Sequence, residues 1–450
     1  MPRSFKFLVP IVCLIMVFSI TASASATVDW KQCKGQTISV MAFEIAFWKG
    51  VKKFLPEFEK KTGITVEWES FNESTVIQKS QMELAARSDA YDVIYSGRET
   101  VPKWVKAGLI VPLDDFMNDP TLTESDYDLN DHLKGTVDAF QVDGKQWGFP
   151  YFGACVIYYY RTDLFKKAGL DPKNPPQTFE ELLAAAKKLH SNDIAGIALR
   201  GYPGVHNTWH WSMMFYGYGG RYFKDYENGN FTPTLNTEAG VKSLEIYTEL
   251  MQHYSIPNAA SATFEEVVVA MQQGRTAMVL EGGPLGGRIL DPDKSKIIGK
   301  VGFALVPGGP AGRFPPFTSQ TYVINKASKN KNAAYLFIQW LTSRETMKKV
   351  ALNSRYVTVT RSSIWTDPEF RKRYGFNYGY GDYLEAFEET LDIGPPWYRP
   401  VFPDWPEVMD RTGIALQEAV VGKKTAKEAL DDANADIGAM LKKRNYKIDF

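Results

Sequence analysis

The chain has little cysteine, no net charge and a single long apolar run. Three cysteines in 450 residues exclude a disulfide framework. Lys plus Arg and Asp plus Glu both number 52, so no global field draws the chain to nucleic acid or to an anionic membrane. Beyond residue 26 no stretch is long and apolar enough to span a bilayer. No Ser-His-Asp or Cys-His pattern marks a nucleophile. Paired carboxylates for glycoside cleavage cannot be assigned among 52 acidic residues, so catalysis has no positive signal. The composition is globular, 44% apolar and 23% charged, with length for two or three domains. The partner this leaves is small, neutral or locally recognised.

The one apolar run lies in "MPRSFKFLVPIVCLIMVFSITASASA". Arg3 and Lys6 precede 14 residues from Phe7 to Ile20, and small residues end at Ala24-Ser25-Ala26. That is the order of a cleaved secretory signal. The rival, a membrane anchor, needs about 20 apolar residues. Cys13 sits in mid-stretch, against a lipoprotein signal. Cleavage after Ala26 predicts an exported protein that keeps Cys33 and Cys155. Export permits these two to pair; the alternative is two free thiols.

After the leader, "QTISVMAF", a charged helical segment "FWKGVKKFLPEFEKKTG", "ITVEWESF", a helical run "VIQKSQMELAARSD" and "YDVIYSG" follow one another. This predicts a parallel sheet with crossover helices, whose ligands gather at the carboxyl ends of the strands. Phe43-Glu44 and Ser96-Gly97-Arg98-Glu99 stand there. A second α/β region carries three expected capping boxes, Thr178/Glu181, Thr342/Glu345 and Thr425/Glu428. Between them "IAGIALRG", "TAMVLEGG", "KVGFALVPGG" and "SQTYVINKAS" read as strands, and Gly/Pro loops are expected at 282–287, 307–316 and 394–406.

Four patterns admit a chemical reading beside a plain one. "EGGPLGGR" lacks the Gly-Lys-Ser/Thr ending of a phosphate loop, which leaves a tight turn near a ligand or a simple turn. His206 and His210, four apart, would face one metal on a helix, but no third ligand is nearby. Tyr158-Tyr159-Tyr160 has the chemistry of iron-binding tyrosinates, yet strand alternation sends Tyr159 to the opposite face, as core packing would. The positive signal is aromatic density beside Gly and Pro, in "WGFPYFGACVIYYY", "GVHNTWHWSMMFYGYGGRYF" and "DIGPPWYRPVFPDWPEV". Aromatic faces stack on the C–H faces of sugars, and Arg or carboxylate groups read hydroxyls; alternatively the rings fill core.

Over nearly the whole mature chain, "FLPEFEKKTGITVEW", "AYDVIYSGRETVPKWVKAGLIVPLDDF", "GFPYFGACVIYYYRTDLFKKAGL", "TFEELLAAAKKL", "WSMMFYGYGGRYF", "AAYLFIQWLTSRE" and "GKKTAKEALDDANADI" occur in order. In these segments the chain resembles the carbohydrate branch of bacterial ABC-importer solute-binding proteins, the group of the maltose- and polyol-binding proteins. The resemblance implies an α/β, two-lobed periplasmic-binding-protein fold with a ligand cleft at the hinge. Residues 27–150 plus 315–357 would form lobe I, and 151–314 plus 358–450 lobe II. It implies ligand contacts at Glu44, Arg98 and Glu99, at Tyr151 on the hinge, and at Trp209 and Gly283. Loop position adds Arg200, Tyr322, Arg361 and Trp397. Ala154 and Leu285 depart from the family pattern, where many relatives carry a Glu and an aromatic. The implied function is capture of a sugar, sugar alcohol or short oligosaccharide by hinge closure and delivery to ABC permease subunits. The protein would be a periplasmic monomer, with no cofactor, no metal and no catalysis. The rivals are an exported glycoside hydrolase or lyase and a ferric-binding protein.

Overall fold

The computed structural model describes residue 1 and residues 28–44, 46–355, 357–395 and 397–449. Apart from Met1, the expected leader and its cleavage point lie outside the described residues. No described helix is long and apolar enough to cross a membrane.

Strands Thr37–Phe43, Thr65–Phe71 and Val93–Gly97 form the expected parallel sheet, with helices Ala46–Thr62 and Glu73–Ala85 as crossovers. Val40 lies opposite both Trp68 and Val93, and Phe43 opposite Phe71. The three carboxyl ends therefore open at one edge. The first crossover helix buries Phe47, Trp48, Val51 and Phe58 against the sheet. Its last turn carries Lys60 and Lys61, which suit the negative end of the helix dipole.

The strand Phe149–Arg161 organises the rest. All thirteen residues are buried. Its first half pairs antiparallel with Phe317–Asn325, and its second half with Met278–Gly282 and Val301–Ala304. One strand of about 40 Å thus serves both halves of an eight-stranded sheet. Pro150, which has no N–H to give, stands where the register slips between Gln320 and Thr321. Gly153 lies under the Thr136 and Thr360 methyls, where a side chain would crowd them.

Alternation along this strand feeds three cores. Tyr151 joins Ile38, Trp48 and Tyr322 in the first. Val156, Tyr158 and Tyr160 enter a second, with Trp209 and Tyr216. Cys155, Ile157 and Tyr159 enter a third, on the opposite face. The tyrosine run is therefore packing, and each hydroxyl has its own partner. Tyr158 donates to Met278 Sδ (2.6 Å), Tyr160 to the Pro172 carbonyl (2.8 Å), and Tyr159 to the carbonyls of Gly282 and Gly283 (3.3 Å each). Burial pushes all three phenols up, so they hold their protons. Core packing, the plain reading of this run, is what the structure shows. Cys33 and Cys155 belong to separate cores and are both free thiols.

Three local expectations change. The "IAGIALRG" segment is not a strand; it touches the sheet only through the isolated bridges Ala195 to Thr276 and Ala198 to Val279. The boxes at Thr178 and Thr425 form, but Ser343 rather than Thr342 caps its helix. Thr342 Oγ1 instead donates back to the Ile338 carbonyl, a bond open to any hydroxyl at the end of a helix. A further box, Thr263 with Glu266, completes the set. The expected loop at 282–287 begins on the last strand residue, Gly282, and is helical from there on, with turns at Gly283–Leu285 and Gly286–Ile289.

Candidate ligand-binding site

The loop after Val93–Gly97 carries Arg98 and Glu99. The Arg98 N–H donates to the Ser319 carbonyl (3.3 Å), and Thr100 Oγ1 donates to the Gly97 carbonyl (3.0 Å). Gly97 lets the Glu99 side chain fold back over it, since a Cβ there would meet Glu99 Oε2. Arg98 as a whole is half-buried, but its Nη1 is buried and has no hydrogen-bond partner. Burial pushes this guanidinium's pKa down, opposed by Glu99 and by Tyr226, while Arg399 adds to the effect.

The facing wall is helix Val205–Gly217 with segment 397–399. Tyr216 donates to the Tyr398 carbonyl (2.7 Å), and Tyr398 donates to the Trp209 carbonyl (2.6 Å). These two bonds lace the segment to the helix and fix what it presents. The Arg399 guanidinium lies 4.8 Å from the Trp209 ring centre, and its Nη1 reaches Glu99 Oε1 at 3.3 Å. Trp209 is 6% exposed, meets Tyr398 edge-on at 5.7 Å, and has a buried Nε1 without a partner. Trp397 is half-buried, with Tyr216 at 5.2 Å and the Arg221 guanidinium at 4.8 Å.

Behind Trp209 lies a buried ion pair. Arg200 Nε donates to Glu281 Oε1 at 2.7 Å and Nη2 binds Oε2, a two-point contact. Glu281 is fully buried and also accepts the Gly282 N–H (3.0 Å). Burial alone would raise its pKa; the charge and hydrogen bonds of Arg200 outweigh that and lower it. His210 Nδ1 accepts the Arg200 N–H (2.9 Å) and Nε2 donates to the Leu280 carbonyl (2.5 Å), which requires the neutral ring. Burial pushes His210 down to about 4. His206 is likewise pushed to about 4, chiefly by burial. No cluster of three or more metal-binding side chains exists among the described residues, and His210 has spent both nitrogens.

As pH falls from 6.5 towards 4, the unfolded chain takes up a proton that folded His210 refuses, so stability falls. At 1.36 kcal/mol per pH unit, the gap is worth about 3 kcal/mol. Urea denaturation at pH 7 and pH 4.5 is expected to show the loss, with a flatter slope in His210→Gln. Glu281 acts lower: its contribution is present above the ordinary Glu range near ~4.3 and goes as pH falls through its depressed value.

The remaining expected residues are dispersed. Glu44 stands exposed at the end of its strand, its N–H bonded to the Phe71 carbonyl (2.8 Å). Tyr151 and Tyr322 lie inside the first core with ring centres 4.8 Å apart, and Tyr151 donates to Gln320 Oε1 (2.9 Å). Gly283 faces protein: the Phe387 ring occupies the space of its missing Cβ, and its carbonyl accepts from Tyr383 (2.6 Å). Gly283→Ala is therefore expected to cost about 1–3 kcal/mol by overpacking, measured as a fall in ligand-free urea stability. Arg361 is away from this wall. It bonds the Thr342 carbonyl (2.7 Å), the Asp128 carbonyl (2.9 Å) and Asp131 (3.2 Å), and lies at the edge of a separate hollow of about 890 Å³ with Trp340 and Lys349. Of the expected residues, Arg98, Glu99, Arg200, Trp209 and Trp397 surround one region, which Arg399, Arg221, Tyr216 and Glu281 complete. Sequence reasoning missed Arg399, although it sits inside the quoted aromatic stretch "PPWYRPVF".

A family model for bacterial extracellular solute-binding proteins matches residues 47–348. A probable amino-acid ABC transporter periplasmic-binding protein of Sinorhizobium fredii is 26% identical, over 96% of this chain and 95% of its own. A solute-binding protein of Agrobacterium radiobacter crystallised with ribitol superposes with a TM-score of 0.80 at 26% identity, covering 90% of this chain and 98% of that one. Another, from Agrobacterium vitis with bound D-mannitol, gives 0.79 at 27% identity, with 91% and 99% covered.

Proposed function

The chain belongs to the bacterial extracellular solute-binding protein family, and from that premise we propose that it captures a polyol, sugar or short oligosaccharide between its lobes for an ABC permease. The observation that carries this reading is the pair of facing walls. Glu99 from one meets Arg399 from the other over the Trp209 ring, and the buried donors Arg98 Nη1 and Trp209 Nε1 have no protein partner. Buried donors are normally satisfied, and a hydroxyl-rich solute brings acceptors to them. Ligand contacts to both walls favour the closed state over the open one, and the permease subunits then recognise that state. In this reading lobe I comprises residues 27–150 and 315–357, lobe II residues 151–314 and 358–450, and the long strand Phe149–Arg161 is the hinge element.

The contact set we propose is Arg98, Glu99, Trp209, Trp397 and Arg399, with Arg200 held ready by Glu281. Tyr151 and Tyr322 support the hinge, Gly283 packs beneath, and Glu44 lies at the rim. The protein works as a periplasmic monomer without cofactor or catalysis. Its leader is removed after Ala26, so the mature protein begins at Thr27, which its intact mass checks.

A thermal-shift screen tests the function, because a ligand bound only by the native state raises apparent stability with its concentration. Alditols, monosaccharides and short oligosaccharides are set beside L-amino acids. A dose-dependent shift with a polyol or sugar is expected; shifts from amino acids alone would overturn the reading. Release of product from an oligosaccharide would favour the enzyme instead.

A further inference from the structure

We infer that the solute carries a negative charge, as a carboxylate or a phosphate on a polyol or sugar framework, and that Arg98 and Arg399 receive it. The inference rests on the reading of the facing walls as the solute site. Charge balance carries it. Three guanidinium groups, Arg98, Arg200 and Arg399, stand around Trp209 and Glu99, against two carboxylates. Glu281 is committed to Arg200 through both oxygens. Glu99 is left for two cations, and its contact with Arg399, 3.3 Å, is longer than the 2.7–2.9 Å of a good charge-assisted bond. Of the other carboxylates near these loops, Glu44, Glu227 and Glu266 are exposed to solvent, and Glu266 is held by Thr263 in its capping box, so none of the three offsets a buried charge. Arg221 adds positive charge at the rim, over Trp397, and its own hydrogen bond goes to the Gly220 carbonyl (2.9 Å).

One positive charge is therefore in surplus where the walls meet, and a buried charge is costly unless a counter-charge joins it. Two of the polar atoms left without partners here agree in kind, while a third, His206 Nδ1, donates or accepts according to its tautomer. Arg98 Nη1 and Trp209 Nε1 are donors only, so the solute must bring acceptors. A neutral polyol supplies lone pairs but no charge. A carboxylate or phosphate supplies both, in the two-point geometry a guanidinium matches. Trp397, backed by the buried Tyr216 ring, remains for the C–H face of the framework.

Calorimetric titration of the mature chain with D-mannitol, D-gluconate and D-mannitol 1-phosphate tests this. One of the two anions is expected to bind at least tenfold more tightly than D-mannitol, and which one distinguishes carboxylate from phosphate. Arg98→Gln is expected to bring that ratio close to one, with its ligand-free melting confirming that it folds; should it not fold, the wild-type ratio decides. D-mannitol binding as tightly as both anions, or more tightly, would overturn the inference and leave the solute-binding reading standing. Binding of none of the three would overturn the inference, while the wider thermal-shift screen decides the solute-binding reading.

Discussion

Glu281→Ala is expected to lower the unfolding free energy by about 3–5 kcal/mol, the usual cost of removing one member of a buried ion pair. The loss is not that of a salt bridge alone. Arg200 would be left as a charge with only 13% of its side chain exposed, and the Gly282 N–H would lose its acceptor. Urea unfolding at pH 7 measures it. The double variant Arg200→Met with Glu281→Leu is expected to recover most of the loss, because apolar replacement of both partners removes the stranded charge. A single-variant loss under about 1 kcal/mol, small enough for a surface pair, would contradict the burial argument.

Trp209→Ala is expected to act on both affinity and stability. The ring is 6% exposed and packs in the second core, so truncation should cost about 3–5 kcal/mol in the ligand-free protein. Affinity for the solute should fall at least tenfold, since the ring contributes stacking, water exclusion and the Nε1 donor, and stacking alone is worth about 0.5–1.5 kcal/mol. Trp209→Phe separates the two roles. It keeps most of the packing and deletes the indole N–H, so it should weaken binding while costing much less stability than the alanine. Unchanged affinity in Trp209→Phe, alongside lost stability in Trp209→Ala, would reduce Trp209 to a core residue.

The parallel start of the fold was legible because its signals are local. "ITVEWESF" alternates, "FWKGVKKF" has helical spacing, and two of the three capping boxes formed where written. The long strand Phe149–Arg161 was legible only in part. Its aromatic density announced burial, but whether a ring meets a ligand or a core depends on what packs across from it, which lies more than a hundred residues away at Met278 and Phe317. The same limit explains the dispersed site residues. Gly283 is fixed by Phe387 and Arg361 by Asp128 and Asp131, partners that no spacing rule joins. Arg200, Trp209 and Arg399 meet through the bonds between Tyr216, Tyr398 and the backbone, so Arg399 acquires its place from a tyrosine nearly two hundred residues earlier. "IAGIALRG" has strand composition yet pairs only through isolated bridges, because composition sets preference and not the neighbour.

The central claim is that solute capture and closure of the two walls are one event. Small-angle X-ray scattering of the mature protein, without and with the solute that gives the largest thermal shift, measures it most directly. The account predicts a smaller radius of gyration at saturation, and a titration midpoint equal to that of binding measured by calorimetry. Saturated binding with superimposable scattering curves would contradict it.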